Sequence, residues 1–533
     1  MTPAVTVIGS GASGVHFALT VLKKGGRVRM IDVGTQGPIQ PLPTVSLNGL
    51  KAQLPDPAGY FLGSDYQGVH LPGDNDEYYG IPPGKDYIFE PPDGFGHKSV
   101  GFAPLFSFAR GGLGEAWTAG CYPFNADDTT DFPFPFADLA VQYDEVAERI
   151  GVTGAVDDLS RFMPVHAHLL PPLRLDAHSA RLLDSYHRVR ERMHARGVFI
   201  GRTRVATLSQ SFRGRQPCTY SGRCLWGCPT GALYTPSFTL RECQTYSGFE
   251  YVPGVEVSHL RLGAGGGVAA VVARDLESDG EVEFTAERVA LAAGALVSTR
   301  IFLATLLRAS GGRVRLTGLM DNRQLLVPFL NLKMLGQPFD PNTYQYHLLG
   351  MGIAGASPSD YVHGQITTLK TALVHPVLQQ LPFDLGTSVD VFRFIHAALG
   401  LVNVNFHDTR RPDCYVELTS DARPRLAIRY VPDPGEPLRI KKALQRVKRA
   451  LLALGCFVPP GMVHLRPMGA SVHYAGTIPM TARPDPFTAT PLGESRDVPG
   501  LFLVDGAGFP SLPAKNLTFT LMANAARIAA AAF

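Results

Sequence analysis

The sequence predicts an α/β protein in which one domain is assembled from separated pieces of the chain and a second domain is inserted between those pieces. Three observations support this prediction. The chain opens with a β-α-β pattern within residues 4–31. Buried-strand patterns of the same kind return late in the chain, at residues 289–295 and 500–504. Between them, residues 316–430 are rich in strand patterns that alternate polar and apolar side chains, unlike the uniformly apolar strands of the first domain.

The size and composition agree with two globular domains. The chain has 533 residues and a mass of 57.5 kDa, more than a single hydrophobic core usually serves. Hydrophobic residues make up 45% and charged residues 18%, which excludes a disordered chain. The net charge is only +3, and no basic stripe alternates with stacking aromatic residues, so we expect no nucleic-acid partner.

The sequence also predicts whether the chain crosses a membrane and whether its cysteines form disulfides. A membrane-spanning helix needs ~20 apolar residues, and the nearest runs, 289–307 and 517–533, are interrupted by Arg300 and Arg527. We therefore expect no membrane span. The chain begins with a strand pattern where a secretory leader would have a charged and then an apolar region, which predicts a cytoplasmic protein. Seven cysteines, an odd number, predict free thiols.

Residues 35–108 are rich in Pro, Gly and aromatic residues and show no sustained periodicity. Segments of this length without regular structure usually cover a site, so we interpret this one as a lid or cofactor cover, with a plain surface insertion as the alternative. Helical patterns occur at 136–150, 176–196 and 438–454.

Residues 9–14 form a dinucleotide-binding signature. They read Gly-Ser-Gly-Ala-Ser-Gly, or G-x-G-x-x-G, directly between the first strand and the first helix. Gly9 permits the tight turn, Gly11 lets a pyrophosphate approach the backbone, and Gly14 lets the helix pack on the strand. Ala12 and Ser13 begin the helix, whose amino terminus attracts the phosphate charge. A glycine-rich turn that binds nothing is the alternative.

Asp32 ends the second strand, about 20 residues after the signature, where an acid accepts a hydrogen bond from a ribose 2′-hydroxyl. An acid at this position favours an unphosphorylated ribose, and therefore FAD or NAD. The late strands at 289–295 and 501–506 favour FAD, since flavoproteins recruit late chain segments in this way.

Five segments in order resemble the glucose–methanol–choline (GMC) oxidoreductases over nearly the full chain. They are the signature at 9–14, Gly-Gly-Leu-Gly-Glu-Ala-Trp at 111–117, Ala-Ala-Gly-Ala at 292–295, His-Tyr-Ala-Gly-Thr at 473–477, and 504–520, which opens with Val-Asp-Gly and ends with Asn-Leu-Thr-Phe-Thr. The resemblance implies FAD and an FAD-binding Rossmann-like domain. It also implies an inserted α+β substrate domain built on an antiparallel sheet, the two-domain architecture of p-hydroxybenzoate hydroxylase.

The domain limits follow from placing these segments on the chain. We assign residues 1–150, 200–315 and 460–533 to the FAD-binding domain, which includes the lid-like insertion. Residues 151–199 and 316–459 are assigned to the substrate-binding domain.

The resemblance implies further cofactor-binding residues, beyond the signature and Asp32. They are Gly111, Gly112, Gly114, Val257, Ala293, Gly294, Asp505, Gly506 and Leu517. The Gly111-Gly112 turn is similar to that of pyranose oxidases, where it packs on the flavin ring. Those enzymes have a flavin-linked histidine where this chain has Ala116, so the resemblance implies a non-covalent flavin.

The resemblance also implies a catalytic pair, His473 and Asn516. The reaction needs a base that takes the hydroxyl proton as hydride leaves the adjacent carbon, and imidazole titrates near neutrality. Asn516 can donate a hydrogen bond to a developing alkoxide but cannot take a proton, so the two roles separate. Asn516 also suits the N-cap of the closing helix, and both interpretations are compatible.

Three cysteines, Cys218, Cys224 and Cys228, lie in one loop. An iron–sulfur cluster needs four thiolates at tighter spacing, so we expect no metal, and the loop is similar to one in sugar-alcohol and gluconate dehydrogenases. Trp226 in this loop is a candidate wall of the substrate pocket, with core packing as the alternative. Trp117 and Thr477 are the other residues assigned to the pocket.

The resulting prediction is an FAD-dependent oxidase or dehydrogenase that transfers hydride from an alcohol to flavin N5. Its partners are a small-molecule alcohol, such as a sugar, polyol, glycoside or hydroxylated natural product, and an electron acceptor, O2 or a separate carrier. A sterol or other apolar secondary alcohol is the alternative substrate. A lyase or photodecarboxylase with the same fold is the alternative reaction, disfavoured by His473 and Asn516.

Overall fold

A computed structural model describes residues 4–37, 42–69, 77, 79–357, 360–369 and 374–533. The α-helices are α1 Ala12–Lys23, α2 Leu47–Gln53, α3 Pro57–Leu62, α4 Phe136–Ile150, α5 Ala177–His194, α6 Pro236–Cys243, α7 Ala295–Ser310, α8 His375–Leu378, α9 Leu385–Ile395, α10 Glu436–Ala453 and α11 Thr518–Ala532. The strands are β1 Val5–Ile8, β2 Val28–Ile31, β3 His97–Val100, β4 Val152–Thr153, β5 Leu169–Leu170, β6 Val198–Arg202, β7 Phe249–Val252, β8 Val255–Leu262, β9 Val268–Asp275, β10 Glu281–Thr285, β11 Val289–Leu291, β12 Arg315–Thr317, β13 Gln324–Asn331, β14 Leu349–Ile353, β15 Val362–Thr368, β16 Leu399–Asn405, β17 Tyr415–Leu418, β18 Leu426–Arg429, β19 Cys456–Phe457, β20 His464–Leu465 and β21 Leu501–Leu503.

The first domain is built on a five-stranded parallel sheet with the order β21-β11-β1-β2-β7. The central strands β1, β11 and β21 are fully buried because helices cover both faces of a parallel sheet. Strands from the start, middle and end of the chain therefore lie side by side. The α/β fold class and the assembly of one domain from separated pieces are confirmed.

The second domain is built on an antiparallel sheet with the order β19-β13-β16-β15-β14-β6, and β20 also pairs with β13. Alternate side chains point to opposite faces of each strand. One face is apolar and packs with α5 and α10 in a shared core. The other face carries polar side chains, since Gln324 pairs with Asn405 and Gln365 pairs with Asn403 in the register of the sheet. This alternation explains the polar-apolar pattern that the sequence shows in residues 316–430.

Short regular elements occur in segment 35–108, where the sequence indicated none. They are α2, α3, a 3-10 helix at Pro83–Ile88 and β3. Ser46 and Asp56 cap α2 and α3 through their side chains, so these helices begin at local capping signals and are too short to show a period. Residues 38–41, 70–76 and 78 of this predicted lid lie outside the described residues.

Two smaller sheets complete the architecture. A three-stranded sheet, β10-β9-β8, shares a hydrophobic core with α7. A four-stranded sheet, β12-β17-β18-β3, contributes to that same core, so residues on both sides of the predicted limit at 315/316 pack together. The domain limits stay a prediction. Within the ranges that the structure describes, no helix is both long and apolar enough to cross a membrane.

Candidate active site

One cavity is lined both by the dinucleotide signature and by the predicted catalytic pair. Its lining includes residues 9–13, Asp32, His473 and Asn516. Most of the other predicted cofactor-binding residues also line it, namely Gly112, Gly114, Val257, Ala293, Gly294, Asp505, Gly506 and Leu517. Because pieces from widely separated regions of the chain meet here, the cavity exists only in the assembled fold.

The signature turn has the geometry that its three glycines predict. Gly9 has a φ of +102°, a conformation that side chains disfavour. A Cβ atom on Gly14 would lie 2.0 Å from the carbonyl oxygen of Gly9, so Gly14 permits close packing and does not itself line the cavity. Gly11 faces the cavity, and the nearest protein atom to a Cβ there would be 3.9 Å away. This open cradle fits a pyrophosphate at the amino terminus of α1.

Ser10, which the sequence analysis left unassigned, ties the signature to two other predicted elements. Its hydroxyl donates to the Asp32 carboxylate and accepts a hydrogen bond from the backbone amide of Gly111 at 2.9 Å. The hydroxyl of Tyr251 also donates to Asp32, at 3.1 Å. Burial raises the pKa of Asp32 to about 6, although both hydroxyls favour its ionised form. Both of these bonds go to the Oδ2 atom, so neither hydroxyl occupies the Oδ1 atom.

The Gly111-Gly112 turn brings a second backbone segment against the first. Gly111 and Gly112 have φ values of +90° and +60°. A Cβ on Gly112 would lie 3.4 Å from the Cα of Gly11, so the two glycine-rich turns touch. Gly111 does not line the cavity; it holds this turn in place through Ser10. Ala116 lines the cavity and presents only a methyl group.

Asp505 lies at the amino-terminal end of α7. It accepts hydrogen bonds from the Ser298 hydroxyl at 2.5 Å and from the backbone amide of Ala507 at 3.0 Å. Burial raises its pKa to about 6. These contacts fix the Asp505-Gly506 turn against the strand end at 292–294, where both segments line the cavity.

His473 is buried, and its Nδ1 atom lies 3.0 Å from the Oδ1 atom of Asn322. Asn322 does not line the cavity, so the ring nitrogen left for the cavity is Nε2. Burial, aided by the positive charge of Arg466, lowers the pKa of His473 to about 4. The imidazole is therefore neutral at pH 7 and able to accept a proton.

Asn516 lines the cavity, and its Oδ1 atom accepts a hydrogen bond from Nε2 of Gln365 at 2.7 Å. The amide nitrogen is thereby left to donate toward the cavity. The N-cap interpretation of Asn516 is wrong. The helix α11 begins at Thr518 with Leu517 as its N-cap, and no side chain caps it. Accepting from Gln365 occupies the oxygen that would otherwise cap the helix.

Three uncharged amides and the side chain of Arg466 are among the groups that line the cavity. Gln324, Gln365 and Asn403 come from the polar face of the antiparallel sheet. Arg466 donates to Glu77 at 2.6 Å and to Gln324 at 2.5 Å. Glu77 therefore balances the charge of Arg466, and the surroundings favour a neutral, hydrogen-bonding ligand.

Two of the three predicted pocket residues lie elsewhere. Trp226 does not line the cavity; it is 5% exposed and packs 4.9 Å from the ring of Phe61, so the core-packing interpretation holds. Thr477 is also buried outside the lining, where its hydroxyl lies 2.7 Å from that of Thr299. Trp117 lines the cavity, with its indole nitrogen donating to the carbonyl of Tyr234 at 2.7 Å.

The cysteine loop makes no cluster of the kind that holds a metal. Across the described ranges, no three His, Cys, Asp or Glu side chains are grouped closely enough to bind a metal ion. The seven cysteines form no disulfide with one another. Burial raises the pKa of Cys218 to about 11, which disfavours a thiolate ligand there.

Three comparisons identify the relatives of this arrangement. Residues 410–525, which carry His473, Asp505 and Asn516, match the model of the GMC oxidoreductase family. An uncharacterized GMC-type oxidoreductase of Sinorhizobium fredii is 24% identical over 350 residues, 61% of this chain and 65% of that protein, just under two thirds of its length. Over residues 410–525 the chain therefore resembles the GMC oxidoreductase family. A 6'''-hydroxyparomomycin C oxidase of Streptomyces lividus is 23% identical over 98% of this chain and 90% of that protein.

Solved structures share the GMC fold. Pyridoxine 4-oxidase from Mesorbium loti superposes with a TM-score of 0.60 at 14% identity, over 98% of both chains. An FAD-dependent oxidoreductase from Chaetomium thermophilum does so with a TM-score of 0.60 at 12% identity, over 99% of this chain and 98% of that one. The family match and these neighbours indicate an FAD-dependent oxidoreductase. The residues of the cavity fit FAD: the open cradle at Gly11 suits the pyrophosphate, and Asp32 at the end of the second strand suits the ribose.

Proposed function

We propose that this protein oxidises a CH–OH group of a small, hydroxyl-rich molecule, with His473 as the base and Asn516 as the donor to the substrate oxygen. The observation that carries the proposal is that both side chains line one cavity with complementary atoms turned toward it. The hydrogen bond to Asn322 leaves Nε2 of His473 as an acceptor, and the bond from Gln365 leaves Nδ2 of Asn516 as a donor.

Each residue then has a defined part in the reaction. When bound, FAD supplies the oxidising power by accepting a hydride from the substrate carbon. His473 takes the hydroxyl proton at Nε2, and its lowered pKa keeps it unprotonated for this step at neutral pH. Asn516 donates to the oxygen as negative charge develops on it. Ala116 offers no nitrogen for a covalent link, so we propose that the flavin is held non-covalently.

The walls of the cavity support a sugar, polyol, glycoside or hydroxylated natural product as the substrate. Gln324, Gln365 and Asn403 place both donors and acceptors there, and each hydroxyl group can use either. The Streptomyces relative is named as the oxidase of a hydroxylated compound, 6'''-hydroxyparomomycin C. A sterol has few hydroxyl groups with which to exchange hydrogen bonds with these amides, which disfavours it.

Anaerobic flavin reduction tests this proposal. The purified holoenzyme is mixed without oxygen with a panel of sugars, polyols, glycosides and sterols, and the visible flavin absorbance is followed. We expect bleaching by hydroxyl-rich compounds and not by sterols. Bleaching by sterols alone would overturn the substrate class, and conversion of an alcohol with the flavin remaining oxidised would overturn the reaction class.

Asn516→Ala is expected to slow flavin reduction by ~10²–10³-fold, about 2.7–4 kcal/mol, the range for one donor to a developing oxyanion. The pH dependence should not change, because an amide does not titrate. Rapid-mixing measurement of reduction across pH, with a tested substrate, checks both points. The visible spectrum of bound flavin is the control for folding, since the signature turn is intact in this variant. A parental reduction rate would contradict the role of Asn516.

A further inference from the structure

Asn322 is a fully enclosed amide whose orientation the surrounding backbone determines. Its side chain is 1% exposed. The Nδ2 atom donates to the carbonyl oxygens of Phe406 at 2.7 Å and Pro513 at 3.0 Å. Carbonyl oxygens only accept hydrogen bonds, so the atom facing them must be the amide nitrogen. The Oδ1 atom is consequently the one that faces His473, at 3.0 Å from Nδ1.

This orientation determines the state of the imidazole. An amide oxygen cannot donate, so the Nδ1 atom of His473 must carry the hydrogen in the pair. A neutral imidazole has one N–H, and the Nε2 atom is then a bare acceptor. Without Asn322, the neutral ring could place its hydrogen on Nε2, where it could not take a proton from a substrate hydroxyl.

We propose that Asn322 is a positioning residue for the oxidation: two backbone carbonyls lock its amide, and the locked amide oxygen holds His473 in the tautomer that acts as a base. The proposal rests on the proposed role of His473. Asn322 acts through His473 alone, since it has no place in the cavity wall.

A double-mutant cycle tests this inference on holoenzyme with bound flavin. We expect Asn322→Ala to lower the limiting rate of anaerobic flavin reduction by ~10–100-fold, the range for removing the partner that orients a metal-binding histidine. In a His473→Ala background the same substitution should have no further effect, because there is no imidazole to orient. Asn322→Asp keeps an acceptor oxygen toward Nδ1, and its carboxyl, held neutral by burial, can donate to one of the two carbonyl oxygens; it should recover part of the rate, which a merely structural role would not predict.

Asn331→Ala is the matched control. Asn331 is another fully buried asparagine, seven residues along β13 and therefore ~23 Å from Gln324, and it does not line the cavity. We expect it to change the melting temperature and not the limiting rate. Equal slowing by Asn322→Ala with and without His473 would overturn the inference. His473→Ala at the parental rate would instead overturn the proposed function, so the two failures are distinct.

Discussion

Replacing His473 with alanine is expected to slow anaerobic flavin reduction by ~10²–10⁴-fold, the contribution of a positioned acid–base group. The expectation follows from the geometry of the ring, which lines the cavity and is held at Nδ1 by Asn322. The variant should still bind FAD, because the signature turn and Asp32 are unchanged in it. Stopped-flow reduction with a tested alcohol measures the rate, and the visible flavin spectrum reports the fold.

The pH dependence should differ from that of an ordinary histidine. A base works only when unprotonated, so the reduction rate rises as pH increases through the pKa of His473. Burial and the charge of Arg466 lower that pKa to about 4, from an ordinary value of 6.5. The parental enzyme should therefore have a flat profile above about pH 5, with the rise on the acid side. A rise in the neutral region, which the sequence alone led us to expect, would contradict the buried geometry.

Arg466→Met is a control that tests whether the rise in rate on the acid side of the pH profile reflects the titration of His473. This substitution removes the positive charge that helps to lower the pKa of His473, and it leaves the carboxylate of Glu77 without its arginine partner. Both changes favour the imidazolium form of His473, so the rise in rate should move to higher pH. A rise that stays at the same pH would show that another group titrates. A His473→Ala protein that holds flavin and reduces at the parental rate would refute the assignment outright.

The elements of the fold could be predicted from the sequence wherever the local hydrophobic pattern matched the burial of the element in the structure. The strands β1, β11 and β21 are short apolar runs that are buried on both faces, so their pattern and their place in the parallel sheet carry the same information. The helix α4 was predicted at residues 136–150, where the structure has it, because its amphipathic pattern is strong. The elements of segment 35–108 were missed because four to seven residues are too few for a period to appear.

Only those site residues that lie within recognisable motifs could be predicted from the sequence. His473 and Asn516 stand in segments with recognisable neighbours, whereas Asn322 and Gln365 stand on separate elements with no local motif. What makes these two amides functional is a hydrogen bond to a residue 151 positions away in each case, and such contacts appear only when the sheets assemble. The alternation of Asn403 and Asn405 with valines was a visible signal of a polar sheet face, although it did not reveal what that face covers.

Trp226 is the converse case, a residue that the sequence analysis placed in the pocket and the structure places in a hydrophobic core. A tryptophan in a loop that resembles one in sugar-alcohol dehydrogenases is a reasonable candidate for the pocket. A large aromatic ring, however, contributes more to the stability of the fold when it is fully buried than when it is partly exposed in a cavity. The segment 42–69, which the sequence left without structure, supplies Tyr60 and Phe61 to enclose it. The composition of the loop itself favours neither interpretation. What the sequence did not reveal is that Tyr60 and Phe61 pack against this ring.

Gly11→Val is expected to yield a folded but colourless protein. The backbone at Gly11 is extended at the N-cap of α1, with φ −64° and ψ −178°, a conformation that valine also adopts. The nearest protein atom to its Cβ would be the carbonyl oxygen of Ala292 at 3.9 Å, so the substitution does not clash with the chain. The added side chain would occupy the space that a pyrophosphate needs, and loss of flavin would therefore report the cofactor's approach alone.

Gly265→Val is the matched control, because Gly265 also lies outside the left-handed region and a Cβ added there would have no atom within 4 Å. It should remain yellow. The ratio of visible flavin absorbance to protein absorbance measures occupancy, and circular dichroism measures the fold. The Gly11→Val protein should melt at a lower temperature than the yellow parent and no longer gain stability when FAD is added, since a ligand that binds only the folded state stabilises it. A Gly11→Val protein with full flavin would place the pyrophosphate elsewhere and would remove the main argument for the signature turn as its cradle.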